Sequence, residues 1–264
     1  MELIAYIATV FIGISLGLIG GGGSILTMPV LVYLFGINPL LATSYSLFLV
    51  GTTSFIGAIN NYRKEQVHLK AALFFGSSSI ITVFITRKFM LPSIPTHILT
   101  INGFHITSAL ITMVLFGALM LLAATSMIKD QGSQDPEKEC KDCFSFLKLF
   151  GYGVGIGFVT GLFGAGGGFL LIPALVFLVK LSMKKAIGTS LLIIALNALI
   201  GFTGDLGHFN LNWKFLLGIT AVATTGLLIG TIISKKIPGN QLKKSFGWFV
   251  LLMGIFIILK EVIK

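Results

Sequence analysis

The chain has 264 residues, 55% of them hydrophobic and 11% charged, with 32 glycines and a formal net charge of +10. A mean hydropathy of +0.98 with so few charges excludes a soluble domain, in which roughly a quarter of residues are charged, and with it a soluble enzyme, a nucleic-acid binder or a disordered tail. The 19 Lys and Arg residues are scattered among short loops and form no single face, as membrane topology requires.

Apolar runs predict helices at 3–19, 25–35, 40–59, 69–86, 106–128, 146–163, 169–179, 186–204, 214–234 and 245–260. No charge interrupts the stretch between Glu2 and Arg63. No secretory leader is expected, because Met1–Ala5 has no positive n-region and no small-residue cleavage site follows the first run. The runs 25–35 and 169–179 are too short to span, since about 11 residues make roughly 16 Å of helix, half the hydrocarbon thickness. Each follows a glycine cluster, Gly20-Gly-Gly-Gly-Ser24 or Gly164-Ala-Gly-Gly-Gly168.

These clusters belong to an internal repeat. Aligning Phe11–Leu34 with Gly155–Leu178 gives identity at 12 of 24 positions, among them Gly13/Gly157, Gly17/Gly161, Gly20/Gly164, Gly22/Gly166, Gly23/Gly167 and Pro29/Pro173. Further on, Ala42-Thr43-Ser44 falls opposite Gly188-Thr189-Ser190. The expected organisation is a first membrane repeat at 1–128, a polar cytoplasmic linker at 129–143 and a second repeat at 144–264.

Loop charge orients the halves. Gly36–Pro39 has no Lys or Arg where Lys180–Lys185 has three; Asn60–Lys70 has three where Asp205–Lys214 has one; Arg87–His105 has two where Ser234–Lys244 has four. The bias reverses at each step. With the richer loop of each pair inside, the repeats are inverted and both termini lie outside. Inversion needs an odd number of passes, which four long helices and one half-helix per repeat supply. The predicted fold class is therefore an all-α polytopic membrane protein of two inverted repeats.

A glycine cluster breaks a helix and exposes its amides, and broken backbone at membrane depth is tolerated only where protein or a water-filled cavity satisfies it. Gly20, Gly21, Gly22, Gly23, Gly164, Gly166, Gly167 and Gly168 are accordingly the first candidates for a substrate site. Each short helix starts there with free N–H groups and a positive dipole end, which suits a small anion. Thr43, Ser44, Thr189 and Ser190 are candidate hydroxyl donors to it, the alternative being bonds to backbone carbonyls. Asn197 is an amide in an apolar helix and needs a partner. Ser24, Asn60 and Thr203 are weaker candidates. Gly13, Gly17, Gly157 and Gly161 have the spacing of helix packing. Pro29 and Pro173 shape the short helices, either at a first turn, with Thr27 as a possible N-cap, or at a kink.

Apart from Asp205, near a helix end, no carboxylate falls in a predicted span, and none of His68, His97, His105 and His208 falls mid-membrane. Proton coupling would rest on Asp205 and His208, for which the plainer reading is a solvated loop, or on the substrate itself. No acid or histidine is placed to activate a hydroxyl, so an intramembrane enzyme is not expected. Cys140-x-x-Cys143 lacks a second pair or a nearby histidine, so no metal or cofactor is expected. Nothing matches a nucleotide-binding loop.

Gly17-Leu-Ile-Gly-Gly-Gly-Gly-Ser-Ile-Leu-Thr-Met-Pro29 with Ala42-Thr-Ser44, and Gly161-Leu-Phe-Gly-Ala-Gly-Gly-Gly-Phe-Leu-Leu-Ile-Pro173 with Ala186-Ile-Gly-Thr-Ser190, resemble the duplicated motif of the sulfite exporter TauE/SafE family of membrane permeases. The resemblance implies transport of a small sulfur-containing anion, such as sulfite, thiosulfate or an organosulfonate, across a bacterial or archaeal plasma membrane. The residues agree in sign, since opposed helix N-termini and hydroxyls without buried acids suit an oxyanion. The expected function is a gradient-driven secondary carrier that binds its anion between the two breaks, with protons a possible coupling ion. The alternatives are a non-transporting scaffold or sensor that uses Cys140 and Cys143, and an anion channel.

Overall fold

The predicted runs become helices in a computed structural model, which describes residues 2–21, 23–91, 97–101, 104–129, 146–164, 167–208, 210–234, 237 and 239–262. Gly22, Gly166 and the linker cysteines Cys140 and Cys143 lie outside the described residues. The first half comprises α1 (Glu2–Ile19), α2 (Gly23–Pro29), α3 (Pro39–Tyr62), α4 (Leu69–Ile85) and α5 (Ser108–Lys129). The second comprises α6 (Phe146–Phe163), α7 (Gly168–Leu178), α8 (Met183–Asp205), α9 (Trp213–Ile233) and α10 (Gly239–Val262).

Local chemistry sets the helix ends. Asn38 caps α3 by accepting from the amide of Leu40 at 3.0 Å, with Pro39 in the first turn, and Asn212 caps α9 by accepting from Phe215. Pro29 ends the α-helical part of α2, and the chain continues as a π-helical turn, Val30–Leu34. Proline lacks the amide that would continue the ladder, so of the two roles expected for Pro29 the structure selects the kink. Thr27 is no N-cap; its hydroxyl donates back to the Gly23 carbonyl inside the helix. Pro173 is the sixth residue of α7.

Two departures lie between α4 and α5. The helix does not stop at 86 but runs on through a π-helical turn, Thr86–Met90. Beyond it, in the stretch read as loop to His105 and as the start of the helix predicted at 106–128, β1 (His97–Ile101) pairs antiparallel with β2 (Phe104–Thr107). β-Branched residues on either side of Asn102-Gly103 are the sequence signal for this hairpin.

Among the described residues four helical spans are long and apolar enough to cross a membrane: Pro39–Tyr62, Leu69–Met90, Met183–Asp205 and Trp213–Ile233. Shorter apolar stretches occupy α1, α5, α6 and α10. Large apolar side chains such as Phe11, Leu73, Leu122, Ile232 and Leu252 face outward, a surface suited to lipid rather than water.

Helices pack across the halves. α1 lies on α9, α6 on α4, α3 on α8, α5 on α10 and α2 on α7. Exchanging each element for its repeat partner returns the same set. Ser44 meets Asp205, while Gly51 faces Leu199 and Gly57 faces Leu191, so α3 and α8 run antiparallel. α1 and α9 run parallel and very close. A methyl on Gly17 would fall 2.7 Å from the Thr231 amide, and one on Gly226 3.1 Å from the Gly13 Cα. Gly157 and Gly161 meet α4 and its π-helical extension in the same way, at Ser79 and Thr86.

Gly13→Ala should push α1 off α9, since its methyl would lie 2.8 Å from the Leu227 amide, and cost about 1–3 kcal/mol. Gly218→Ala, with nothing within 4 Å, should be silent. Thermal denaturation of the detergent-solubilised protein distinguishes the two.

Candidate functional site

Each half turns back on itself at its glycine cluster. Gly20 closes α1 with a left-handed φ of +79°, and Gly164 closes α6 at +64°, a C-terminal conformation that favours glycine. The amide of Gly20 donates to Leu16 at 2.8 Å, and that of Gly164 to Thr160 at 3.0 Å. Ser24 donates to the Gly21 carbonyl at 2.7 Å and locks the first turn. The short helices then fold back on the long ones at equivalent places. Gly23 lies against Ile12 and Leu16, and Gly167, itself left-handed at +66°, lies against Ile156 and Thr160.

The two breaks touch. A methyl on Gly168 would fall 2.5 Å from the Gly21 Cα, and one on Gly21 2.6 Å from the Gly168 Cα. In this conformation backbone fills the space directly between those two residues. Each break also leans on the start of the central helix of the opposite half, Gly20 on Ile187 and Gly164 on Thr43. The first turns of α2 and α7, whose amides have no acceptor within their own helix, therefore begin beside one buried contact.

The ends of this contact differ. On the Gly20 side lies a cavity of about 130 Å³ lined by Gly17, Leu18, Asn61, Lys64, Gln66, Met183, Lys184, Ile187, Thr231, Ser234 and Ile237. Three Lys- and Arg-rich loops, at 60–70, 180–185 and 234–244, thus converge on it. Among the described residues its lining carries ammonium, amide and hydroxyl groups and no carboxylate, a composition that draws anions.

On the Gly164 side the equivalent place is sealed by a buried ion pair. Nη1 of Arg87 donates to Oδ2 of Asp205 at 2.9 Å and to the Thr43 hydroxyl at 2.9 Å. The Ser44 hydroxyl donates to the same carboxylate oxygen. Arg87 is 0% and Asp205 1% exposed. About one turn further into α3 and α8, Phe48 and Phe202 pack with each other and with Trp213, tilted or edge to face, at 5.1–6.0 Å. The Tyr45 hydroxyl accepts from the Asn212 amide at 2.8 Å, tying α3 to the loop after α8.

The expected residues thus fall into distinct roles. Thr43 and Ser44 join the ion pair. Their repeat partners do not: Thr189 accepts from the His68 amide at 2.9 Å and Ser190 donates to the Ile187 carbonyl. Asn197 finds its partner on a neighbouring helix, donating to the Ser79 hydroxyl at 2.6 Å. The solvated-loop reading of Asp205 and His208 fits only His208, which is exposed; Asp205 is buried because Arg87 and Ser44 supply partners from the other half. Arg87 was legible only as loop charge. The signal available was the helical continuation past 86, with Val83, Thr86, Arg87 and Leu91 on one buried side.

Removing one partner of a buried pair leaves a lone buried charge, which costs about 3–5 kcal/mol, whereas an apolar replacement of both is close to neutral. Arg87→Leu should lower the thermal midpoint sharply, and Arg87→Met with Asp205→Leu should restore most of it. Melting curves of the single and double variants in detergent test this.

The family model for the sulfite exporter TauE/SafE matches residues 5–257. A probable membrane transporter protein of Xylella fastidiosa (strain Temecula1) is 28% identical over 250 residues, covering 94% of this chain and 91% of that one. The probable membrane transporter protein YunE of Bacillus subtilis is 25% identical over 277 residues, covering 96% and 97%. The probable membrane transporter protein MJ0441 of Methanocaldococcus jannaschii is 26% identical over 264 residues, covering 94% and 92%. No solved structure matches. With the glycine breaks, the apolar outer surface and this match along nearly its whole length, the chain belongs to the sulfite exporter TauE/SafE family of multi-pass membrane transporters.

Proposed function

We propose that the protein carries a small sulfur-containing anion, such as sulfite, thiosulfate or an organosulfonate, by alternating access about the touching glycine breaks. The observation that carries this reading is the inequality of two pseudo-equivalent ends. Beside one break, where Gly20 meets Ile187, lies a cavity bearing Lys64 and Lys184, and the other rests on Thr43 of the Arg87–Asp205 pair. A carrier caught in one end-state has this form. A continuous pore would not need one end sealed.

Inverted repeats support the same reading. The equivalent helices α3 and α8 run antiparallel, and the partner list of the helices survives exchange of the halves. Each half then spans 1–128 or 144–264 and makes five passes, three of them through α1, the returning α2 and α3, or through α6, α7 and α8. The loop-charge bias places the lysine-lined cavity on the cytoplasmic side and the ion pair on the outer side. Rocking one half against the other would exchange the open and sealed ends around Gly21 and Gly168. The family name supports the class of substrate, and the lysines of the cavity support its sign.

In proteoliposomes, flux of sulfite, thiosulfate or taurine should saturate with concentration and respond to an imposed gradient. Gly168→Val, which forces the breaks apart, should abolish it while the protein still elutes as a single species. Undiminished flux in that variant, or flux that never saturates, would sink the alternating-access reading.

A further inference from the structure

Arg87 holds both of its partners through one nitrogen. Nη1 serves Asp205 and Thr43, while Nε and Nη2 have no partner among the described residues although the side chain is fully buried. The planar guanidinium carries five donors, and its Nε–H lies beside one N–H of Nη2 on a single edge. That edge matches two oxygens of one oxyanion, a fit that the point charge of a lysine cannot reproduce. A buried donor left without an acceptor is costly, and the cost falls here on the one edge of Arg87 suited to a bidentate ligand.

Its position agrees. Thr43, which accepts from Arg87, is the residue on which the second break rests: a methyl on Gly164 would fall 2.6 Å from the Thr43 Cβ. Gly204 brings α8 close on another side, where a methyl would lie 3.2 Å from the Arg87 Cβ. The guanidinium is thus tied by its far end to α3 and α8, beside the end of α6.

We infer that the unpaired edge of Arg87 is the ligand for two oxygens of the transported anion, with Asp205 as the resident counter-ion that holds and orients the guanidinium through Nη1. The inference rests on the anion-carrier reading and names a residue of its site. Ser44 keeps the carboxylate in place through its hydroxyl. An anion carrying an SO3 group offers two oxygens to that edge; a halide offers a single atom and cannot engage both donors as a pair. The buried pair is neutral without substrate, so the arriving anion brings the only net charge.

The chain has two arginines, Arg63 and Arg87, and Arg63 is exposed. In detergent-solubilised Arg63→Lys protein labelled with [15N]arginine, a single Nε–H resonance then reports on Arg87. Thiosulfate or methanesulfonate should shift it saturably, with the affinity that calorimetry measures, and sodium chloride should not. Arg87→Lys, which keeps the charge and loses the edge, should bind these anions about tenfold more weakly or worse. Arg87→Gln with Asp205→Asn removes both charges together, avoids a lone buried ion and should lose affinity equally. Calorimetric binding without a shift of the Nε–H resonance, an equal shift with chloride, or wild-type affinity in either variant would overturn the assignment to Arg87 while leaving the carrier reading intact. If the wild-type protein binds and transports none of sulfite, thiosulfate and methanesulfonate, the anion-carrier reading itself fails.

Discussion

Non-helical backbone inside a bilayer has no water to bond to, and this chain meets that constraint by pressing its two helix breaks against each other. Glycine at 21 and 168 is what permits the approach, because any side chain would hold the strands of backbone apart. Much of the architecture follows from it. For two breaks of one repeat to meet, each half must turn back at its cluster, and the half-helices must start from the shared point. The central helices α3 and α8 then cross antiparallel to flank the contact, and the long helices α1 and α6 each lie on the third long helix of the opposite half, α9 and α4.

Charge is rationed around that centre. The cavity on the Gly20 side collects ammonium and amide groups without an acid, while Arg87 and Asp205 on the Gly164 side neutralise one another under complete burial. A membrane protein keeps an intramembrane ionic group only where it has a partner. The position of this pair, drawn from two halves and reinforced by Thr43 and Ser44, makes the sealed end a product of the same cross-half packing as the breaks.

Helix positions and glycine breaks were legible because they are written locally. Apolar run length, the Gly20–Ser24 and Gly164–Gly168 clusters and the repeat between them need no knowledge of distant residues. The cross-half contacts were not legible, and Arg87 shows why. A sliding reading assigns every Lys or Arg beyond an apolar run to a loop, and the partner that lets Arg87 stay inside lies 118 residues away. The same distance problem hid the fates of the Thr-Ser pairs. Thr43 and Thr189 occupy like positions in the repeat, yet one meets a guanidinium and the other a backbone amide, because the residues opposite them diverged after duplication. The hairpin at 97–107 was masked by the helical bias of the surrounding composition.

The interlocking of the halves also governs how the protein is made. When the ribosome has inserted α1 to α5, the first break lacks the cover that the second half supplies: Gly21 still lacks Gly168, the groove of Gly13 and Gly17 lacks α9, and Ser44 lacks an acid 161 residues further on. The nascent half must wait in the insertion machinery or in lipid with irregular backbone unshielded, a state that favours recruitment of any close-packing helix at hand. The cross-half contacts are complete only when α9 has reached α1 and α10 has reached α5, and the second half acts toward the first as a covalently tethered chaperone.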